Sequence, residues 1–285
     1  MLKLHGFRGY ITMAMVGGNM MNNEEVVAKK SLGQHWLTDP VTLEAICDLA
    51  DIASGDTVLE IGPGRGSLTE RLLMRSAHVQ AVEVDRDLIA GLRKRFGDTS
   101  LEIINQDIRR FDFRKLPSGY KIVANIPYYL TNYLIQLLTD SINPPAVAVL
   151  LIQREVADRL MAKPGQLSIL AVITQAYWTV TAGPVVPAAM FTPPPKVDSQ
   201  IVKMVRRSQP LVPPASKRVF IQLVRICFGQ KRKTLANSLS AGYRLDKDTV
   251  KQLLEGSAIP SFSRPQQLNM PQWLQLTKKL SDVLK

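Results

Sequence analysis

Short apolar runs separated by helix-sized stretches dominate the first two thirds of the chain. The run Thr57–Ile61 is strand-like and ends in glycines, and comparable runs of five to seven residues recur after it. These further strand candidates lie at 78–84, 101–105, 120–124 and 146–152. Strands that alternate with helix-sized segments are typical of βαβ units. The pattern therefore predicts an α/β domain with a mostly parallel sheet.

The pattern changes in the last third of the chain. Residues 178–186 and 197–205 are strand-like and follow one another without an intervening helix, which favours an antiparallel hairpin at one edge of the sheet. A proline-rich segment, 209–214, is predicted to be a linker. Beyond it, four segments have helical patterns, namely 216–228, 233–241, 247–255 and 271–284. The chain is thus expected to end in a small α-helical domain.

The chain has 285 residues and a formal net charge of +12, which is concentrated at one end. Residues 1–205 contain 21 basic and 20 acidic residues, a net charge of +1, whereas residues 206–285 contain 15 basic and 4 acidic residues, a net charge of +11. A near-neutral body that carries a basic module indicates a polyanionic partner, either nucleic acid or an anionic membrane surface. A basic surface that serves only solubility is the alternative at this point.

Several classes of protein are poor fits to the composition. The two cysteines, Cys47 and Cys227, and three histidines provide neither a disulfide framework nor a four-ligand zinc site. The longest apolar run, 146–152, has seven residues, well short of the roughly 20 that span a bilayer. The sequence therefore predicts a soluble protein of a reducing compartment, without a metal.

The sharpest local feature is the turn 62–66, Gly-Pro-Gly-Arg-Gly, between the strand Thr57–Ile61 and a predicted helix, Ser67–Met74. Glycines let the backbone approach a ligand, and the start of a helix presents free N–H groups. The spacing G-x-G-x-G, preceded by Glu60, differs from the G-x-G-x-x-G turn that cradles a pyrophosphate. It favours S-adenosylmethionine, which has no phosphate, over a dinucleotide; a tight turn without a ligand is the alternative.

Acidic residues follow the next two strand candidates. Glu83 lies at the end of the 78–84 run, where a carboxylate can accept hydrogen bonds from both ribose hydroxyls of an adenosine-containing cofactor. Asp107 follows the 101–105 run and is a candidate acceptor for the adenine amino group, or else a turn cap. Both are expected at the same edge of the sheet.

The motif Asn125-Ile126-Pro127-Tyr128 follows the fourth strand candidate. Methyl transfer to an exocyclic amine of a purine requires that the nitrogen lone pair be localised, because it is delocalised into the ring. Hydrogen bonds from the amine to the Asn125 side-chain oxygen and the Pro127 carbonyl would favour this, while Tyr128 stacks on the base. Positioning and electrostatics then supply the rate without a general base, because the proton can leave after transfer.

Together these motifs resemble the rRNA adenine N6-dimethyltransferases, in particular the KsgA (RsmA) branch. The resemblance covers residues 29–285 and includes four further segments, at 30–37, 153–157, 191–199 and 232–239. It implies an α/β class I S-adenosylmethionine-dependent methyltransferase fold, Rossmann-like, in which a seven-stranded mostly parallel sheet has an antiparallel edge hairpin, plus a small C-terminal α-helical domain. The chain would then comprise a flexible extension (1–28), a cofactor-binding catalytic domain (29–208) and a basic helical rRNA-binding domain (209–285).

The resemblance also implies a function and its residues. The enzyme would dimethylate the N6 amino groups of two adjacent adenosines in the 3′-terminal hairpin of small-subunit (16S) rRNA, within an assembling 30S particle, as a cytoplasmic monomer with a role in subunit biogenesis. The implied cofactor-binding residues are His35, Leu37, Gly62, Glu83, Asp107 and Asn125. Those implied to face the target base are Asn125, Pro127, Tyr128 and Phe191. Those implied to meet rRNA phosphates are Lys231, Arg232 and Lys233.

The chain departs from the family pattern in three places. His35 stands where Asn is usual, Tyr129-Leu130-Thr131 replaces a more usual Asn-Ile-Ser, and the loop between Lys163 and Leu167 is shortened. None of these changes removes a residue needed for methyl transfer.

Three alternative functions share parts of the pattern. An Erm-type enzyme would dimethylate one adenine of large-subunit rRNA, and a non-catalytic assembly or transcription factor could keep the same fold. An N6-adenine DNA methyltransferase would share the chemistry but not the C-terminal motifs.

Overall fold

A seven-stranded sheet is the centre of the computed structural model, which describes residues 28–75, 78–230 and 232–284. The predicted extension at 1–28 lies, apart from Ala28, outside these residues, and so does Lys231. The strands are β1 (Trp36–Leu37), β2 (Thr57–Ile61), β3 (His78–Glu83), β4 (Leu101–Asn105), β5 (Lys121–Asn125), β6 (Val147–Gln153), β7 (Trp178–Val186), β8 (Phe191–Thr192) and β9 (Ser199–Arg206). The large sheet has the order β4-β3-β2-β5-β6-β9-β7, and β1 pairs with β8 in a separate antiparallel ribbon.

The predicted parallel sheet and its antiparallel edge are both confirmed. Neighbouring strands from β4 to β6 run parallel, whereas β9 is antiparallel to both β6 and β7. The hairpin therefore lies at one end of the sheet, where β9 pairs with β6 and β7 forms the outer edge. Because β2 to β5 are parallel, their carboxyl ends all meet at one edge of the sheet.

Helices cover the sheet and form the C-terminal part of the chain. They are α1 (Pro40–Leu49), α2 (Ser67–Met74), α3 (Arg86–Phe96), α4 (Thr131–Asp140), α5 (Arg154–Leu160), α6 (Ile169–Tyr177), α7 (Lys217–Gly229), α8 (Leu235–Tyr243), α9 (Lys247–Glu255) and α10 (Met270–Val283). As predicted, α1 begins at a capped proline, since the Asp39 carboxylate accepts a hydrogen bond from the Thr42 backbone N–H at 2.8 Å. Helix α2 begins and ends where the sequence predicts.

The core on one face of the sheet continues into the C-terminal helices. A single cluster of buried side chains runs from Leu150 and Trp178 of the sheet to Phe220 in α7 and Trp273 in α10. Within the part of the chain that the structure describes, no helix is long and apolar enough to cross a membrane.

Segment 209–214, which was predicted to be a linker, does connect the sheet to the C-terminal helices without regular structure, but it is packed against the protein. Val212 is buried in the same core, and the Leu211 N–H donates to the Ala176 carbonyl at 2.9 Å. The prolines do interrupt regular structure there, but the segment packs on the end of α6. The C-terminal helices and the sheet therefore share one hydrophobic core.

Gly66, the residue that caps α2, allows a test of this packing. Its φ is +83°, and a Cβ there would lie 2.5 Å from Phe96 Cε2, at the end of α3. Gly119 has the same φ of +83° but open space around it. We expect Gly119→Ala to lower the free energy of unfolding by about 1–3 kcal/mol through backbone strain alone, and Gly66→Ala to lower it by more. Urea denaturation measures both; equal losses would show that α3 is not packed tightly against the turn.

Candidate active site

A cleft lies at the edge where β2, β3 and β5 have their carboxyl ends. Every residue predicted to hold the cofactor or the base lines it, namely His35, Leu37, Gly62, Glu83, Asp107, Asn125, Pro127, Tyr128 and Phe191. The structure thus brings together residues that are up to 156 positions apart, between His35 and Phe191. Their roles remain predictions, whereas their common location is a property of the fold.

The glycine turn forms one wall of this cleft. Gly62, Gly64 and Gly66 all have positive φ, at +69°, +59° and +83°, which explains the need for glycine at the turn. A Cβ on Gly64 would lie 3.0 Å from the indole of Trp36, whereas a Cβ on Gly62 would meet nothing within 4 Å. The turn therefore packs tightly on one side and leaves open space at Gly62, where a ligand can approach the backbone.

Glu83 is buried at the end of β3 and connects three loops. Its carboxylate accepts hydrogen bonds from the backbone N–H of Gly64 at 3.2 Å and of Asp85 at 2.8 Å. Its backbone carbonyl accepts from Asn105 Nδ2 at 2.9 Å and from the Gln106 N–H at 3.0 Å. Burial raises the pKa of Glu83, although the hydrogen bonds that its carboxylate accepts from the Asp85 and Gly64 N–H groups oppose the shift. Each carboxylate oxygen has further lone pairs, so both can still accept hydroxyl groups.

The segment 29–37 is held across the cleft by an ion pair that sequence reasoning missed. Lys29 Nζ lies 2.6 Å from a carboxylate oxygen of Asp85 and 2.6 Å from one of Asp87, and Gln34 Nε2 donates to Asp85 at 2.8 Å. Burial acts to raise the pKa of Asp85, but the hydrogen bonds from Lys29 and Gln34 outweigh it and hold that pKa below its usual value. No local pattern could reveal these contacts, since the partners are more than 50 positions apart.

Asn125 has a fixed orientation at the end of β5. Its Nδ2 donates to the backbone carbonyl of His35 at 3.0 Å, across 90 positions of sequence. Since this contact commits the amide nitrogen, the Oδ1 is the atom left to accept a hydrogen from an amine. That is the role predicted for it.

Tyr128 and His35 form the next part of the wall. The Tyr128 hydroxyl lies 2.8 Å from Ser199 Oγ, and burial raises its pKa, which keeps the phenol neutral. The His35 and Tyr128 rings are stacked, with centroids 6.0 Å apart and an angle of 25° between their planes. His35 Nδ1 lies 2.7 Å from the Pro193 carbonyl. The His35 side chain is therefore engaged with the protein itself, and its backbone carbonyl supports Asn125.

Asp107 has a partner that the sequence did not indicate. Arg109 Nε lies 3.0 and 2.9 Å from the two oxygens of the Asp107 carboxylate, and the Arg109 N–H donates to Oδ1 at 2.9 Å. These hydrogen bonds lower the pKa of Asp107. Asp107 is thus a turn cap, as the alternative expected, and it also lines the cleft; its contact with an adenine amino group stays a prediction.

The basic residues predicted to meet phosphates lie elsewhere. Arg232 and Lys233 are exposed in the turn between α7 and α8, and neither lines the cleft. Lys231 is outside the described residues.

Comparison with known proteins decides which family has this arrangement. Residues 26–276 match the family model described as ribosomal RNA adenine dimethylase. The chain belongs to this family. The match includes the glycine turn, Glu83 and the Asn125–Tyr128 motif, and its span establishes the chain as an rRNA adenine dimethyltransferase.

Individual members agree with the family assignment. The chain is 37% identical over 261 residues to "Ribosomal RNA small subunit methyltransferase A" of Dehalococcoides mccartyi (strain CBDB1), covering 90% of each chain. It is 38% identical over 270 residues to the protein of that name from Streptococcus agalactiae (strain ATCC BAA-611 / 2603 V/R, serotype V), covering 90% of this chain and 92% of the relative.

Two solved structures share the fold. One is a dimethyladenosine transferase from Plasmodium falciparum, with a TM-score of 0.76 and 29% identity over 87% of this chain and 98% of that one. The other is the 23S rRNA methyltransferase ErmE, with a TM-score of 0.72 and 27% identity over 86% of this chain and 99% of that one. Both support the predicted class I methyltransferase fold.

Glu60, the acidic residue before the glycine turn, allows a test of burial in the cleft. Removal from water raises its pKa from 4.5 to about 8, and the neighbouring charge of Glu83 adds to the shift. The folded protein then keeps a proton that the unfolded chain loses, so the free energy of unfolding falls as pH rises from about 5 to 8, by at most about 1.4 kcal/mol per pH unit.

In Glu60→Gln we expect this contribution to vanish, so that the variant gains stability relative to wild type as pH rises. Urea denaturation at several pH values measures the effect, with Glu102→Gln on the exposed side of β4 as the control. Parallel curves for wild type and Glu60→Gln would show that Glu60 is ionised at neutral pH.

Proposed function

We propose that the protein transfers methyl groups from S-adenosylmethionine to the N6 amino groups of two adjacent adenosines in small-subunit rRNA. The observation that carries the proposal is the orientation of Asn125 by the His35 carbonyl, in the same cleft as Glu83 and the glycine turn. A donor-binding wall and an amine acceptor therefore share one cleft. We further propose that the substrate is an assembling 30S particle in the cytoplasm and that the protein acts as a monomer.

The lining of the cleft suits S-adenosylmethionine, which supplies the methyl group. Open space beside Gly62 admits a ligand close to the backbone, and the two oxygens of Glu83 suit a pair of ribose hydroxyls. The Asp107 carboxylate is suited to accept a hydrogen bond from the adenine amino group while it shares its charge with the exposed Arg109 side chain. Leu37, the remaining cofactor-binding residue that the resemblance implies, pairs with Phe191 between β1 and β8, and both line the cleft.

The chain's own residues suffice to activate the amine. Asn125 Oδ1 and the Pro127 carbonyl accept its two hydrogens and so localise the lone pair on nitrogen. Tyr128 and the buried Phe191 supply rings on which a planar base can stack. The proton leaves after transfer, so no residue has to act as a general base. Positioning is the main source of rate, and it depends on a rigid Asn125.

Relatives that are named for different rRNA substrates bear on the choice of rRNA. The relatives that are 37–38% identical are named small-subunit methyltransferases, whereas ErmE, a 23S rRNA methyltransferase, is 27% identical. Small-subunit rRNA is therefore the substrate that we propose, and 23S rRNA is the alternative.

The first experiment compares these substrates. We expect labelled S-adenosylmethionine to modify small-subunit particles that lack the dimethylation, and mass spectrometry to locate N6,N6-dimethyladenosine at two adjacent positions near the 3′ end. Free 23S rRNA is the matched control and should stay unlabelled. Labelling of 23S rRNA alone would identify an Erm-type enzyme.

Asn125→Ala tests the chemical role of the amide. We expect turnover to fall by at least about 100-fold, because the acceptor that localises the lone pair is lost. The Kd for small-subunit rRNA should change little, since Asn125 does not lie with the exposed cations of the C-terminal helices. Isothermal titration and single-turnover methylation separate the two effects. Unchanged turnover would refute the assigned role.

Arg232 and Lys233 test the phosphate contacts. Replacing both with Gln should weaken RNA binding and reduce the slope of log K against log salt by about 1.5–2, because two counterion-releasing contacts are lost. The control is the double variant Lys251→Gln/Lys278→Gln, which removes the same charge from exposed positions on α9 and α10. Equal slopes for the two double variants would show that only total charge matters.

A further inference from the structure

Two exposed tyrosines, of which the first lines the cleft, have no part in the proposed chemistry. Tyr129 is 61% exposed and Tyr133 is 44% exposed. Tyr129 lines the same cleft as Asn125 and directly follows Tyr128 in a single-turn 3-10 helix, Tyr128–Leu130. A pair of exposed aromatic rings, one of them in the lining of a site, indicates a binding surface.

The position of the Tyr129 ring is set by the backbone beside it. A Cβ placed on Gly33 would lie 3.5 Å from Tyr129 Cδ1 and 3.5 Å from Pro127 Cβ. The ring therefore has protein against one side, from the segment that crosses the cleft, and solvent on the other. Tyr133 follows four positions later, in the first turn of α4.

Positive charge lies beside both rings. The Arg109 guanidinium is held by Asp107, and its side chain is 57% exposed. Arg109 lines the same cleft as Tyr129. The pKa of Arg109 is raised mainly by the hydrogen bond to Asp107 and the charge of that carboxylate, with smaller contributions from Tyr129 and Tyr133. On α5, Arg159 donates to Asn132, between the two tyrosines in sequence, at 3.2 Å. Aromatic rings next to guanidinium groups are typical of surfaces that bind single-stranded nucleic acid.

A target adenine has to leave its stack to enter the cleft, and the base beside it then loses a stacking partner. An exposed ring next to the entrance can replace that partner. Stacking tolerates any base, and it also tolerates a base that is already methylated, because every base has a π-face. A surface of this kind therefore suits a substrate with two adjacent target adenosines.

We propose that Tyr129 and Tyr133 form a stacking platform for the nucleotide adjoining the target adenosine, with Arg109 against the phosphate between them. This inference rests on the proposed function, since it presupposes an RNA substrate with an unstacked adenosine. Tyr129 belongs to the segment that departs from the family pattern. The inference gives this segment a role in holding the substrate rather than in methyl transfer itself.

The experiment uses the full chain and two synthetic hairpins of the 3′-terminal small-subunit rRNA sequence. In each hairpin 2-aminopurine replaces one of the two adjacent adenosines, so that the other remains the target. We expect the wild-type protein to quench the fluorescence of at least one probe on binding. Tyr129→Ala should lose most of that quenching and raise the Kd at least about fivefold, whereas Tyr129→Phe, which keeps the ring, should behave as wild type. Tyr133→Ala should show a smaller loss.

Ile142→Ala is the matched control, because it removes an apolar side chain that is 87% exposed beyond the far end of α4. It should leave quenching, Kd and methylation unchanged. In a parallel methylation assay with small-subunit particles, Tyr129→Ala should raise the KM for the particle while the Kd for S-adenosylmethionine stays constant.

The outcomes separate this inference from the proposed function. If the wild-type protein does not methylate small-subunit particles, the proposed function fails. If it does so and Tyr129→Ala has the quenching, Kd and KM of wild type, the stacking platform is overturned. Loss of activity in Tyr129→Ala through a lower kcat at unchanged KM would also overturn it, because a stacking platform outside the reacting atoms acts on substrate binding.

Discussion

Glu83 is the point on which the geometry of the cleft depends. Its carboxylate holds the glycine turn through Gly64 and the next loop through Asp85, and its carbonyl holds the loop that follows β4 through Gln106. Three βα loops are thus fixed relative to one another by one residue at the end of one strand. A carboxylate that is already fixed by backbone donors needs no reorganisation when hydroxyl groups arrive, which favours binding.

The loops that Glu83 fixes hold the remaining parts of the site. Asp85 anchors Lys29 and Gln34, and these two residues keep the preceding segment across the cleft. The His35 carbonyl of that segment then orients Asn125. A continuous series of polar contacts therefore connects the region suited to ribose with the amide suited to the target amine. On the proposed function, the walls that bind the cofactor and the methyl acceptor are therefore one connected structure.

Local patterns in the sequence predicted most of the fold because strands, caps and glycine turns depend on neighbouring residues. Helix α2 and strand β2 have their predicted bounds, and the glycine turn lies between them as predicted. The contacts that orient the site were not predicted, because Lys29 with Asp85 and His35 with Asn125 join residues that are 56 and 90 positions apart. The packing of segment 209–214 was not predicted either, because its contacts also join residues that are far apart in the sequence.

The shared core of sheet and C-terminal helices has a mechanical consequence. Buried side chains from Trp178 to Trp273 form one cluster, so α7 to α10 cannot swing relative to the cleft without opening close-packed interior. The position of α7 to α10 relative to the cleft is therefore fixed by the fold. On the proposed function, an RNA that is bound by the C-terminal helices can present to the Asn125 amide only those bases that lie at one set distance from the bound part. Selection of an adenosine would then depend on measured distance within folded RNA, with no need to read the surrounding sequence.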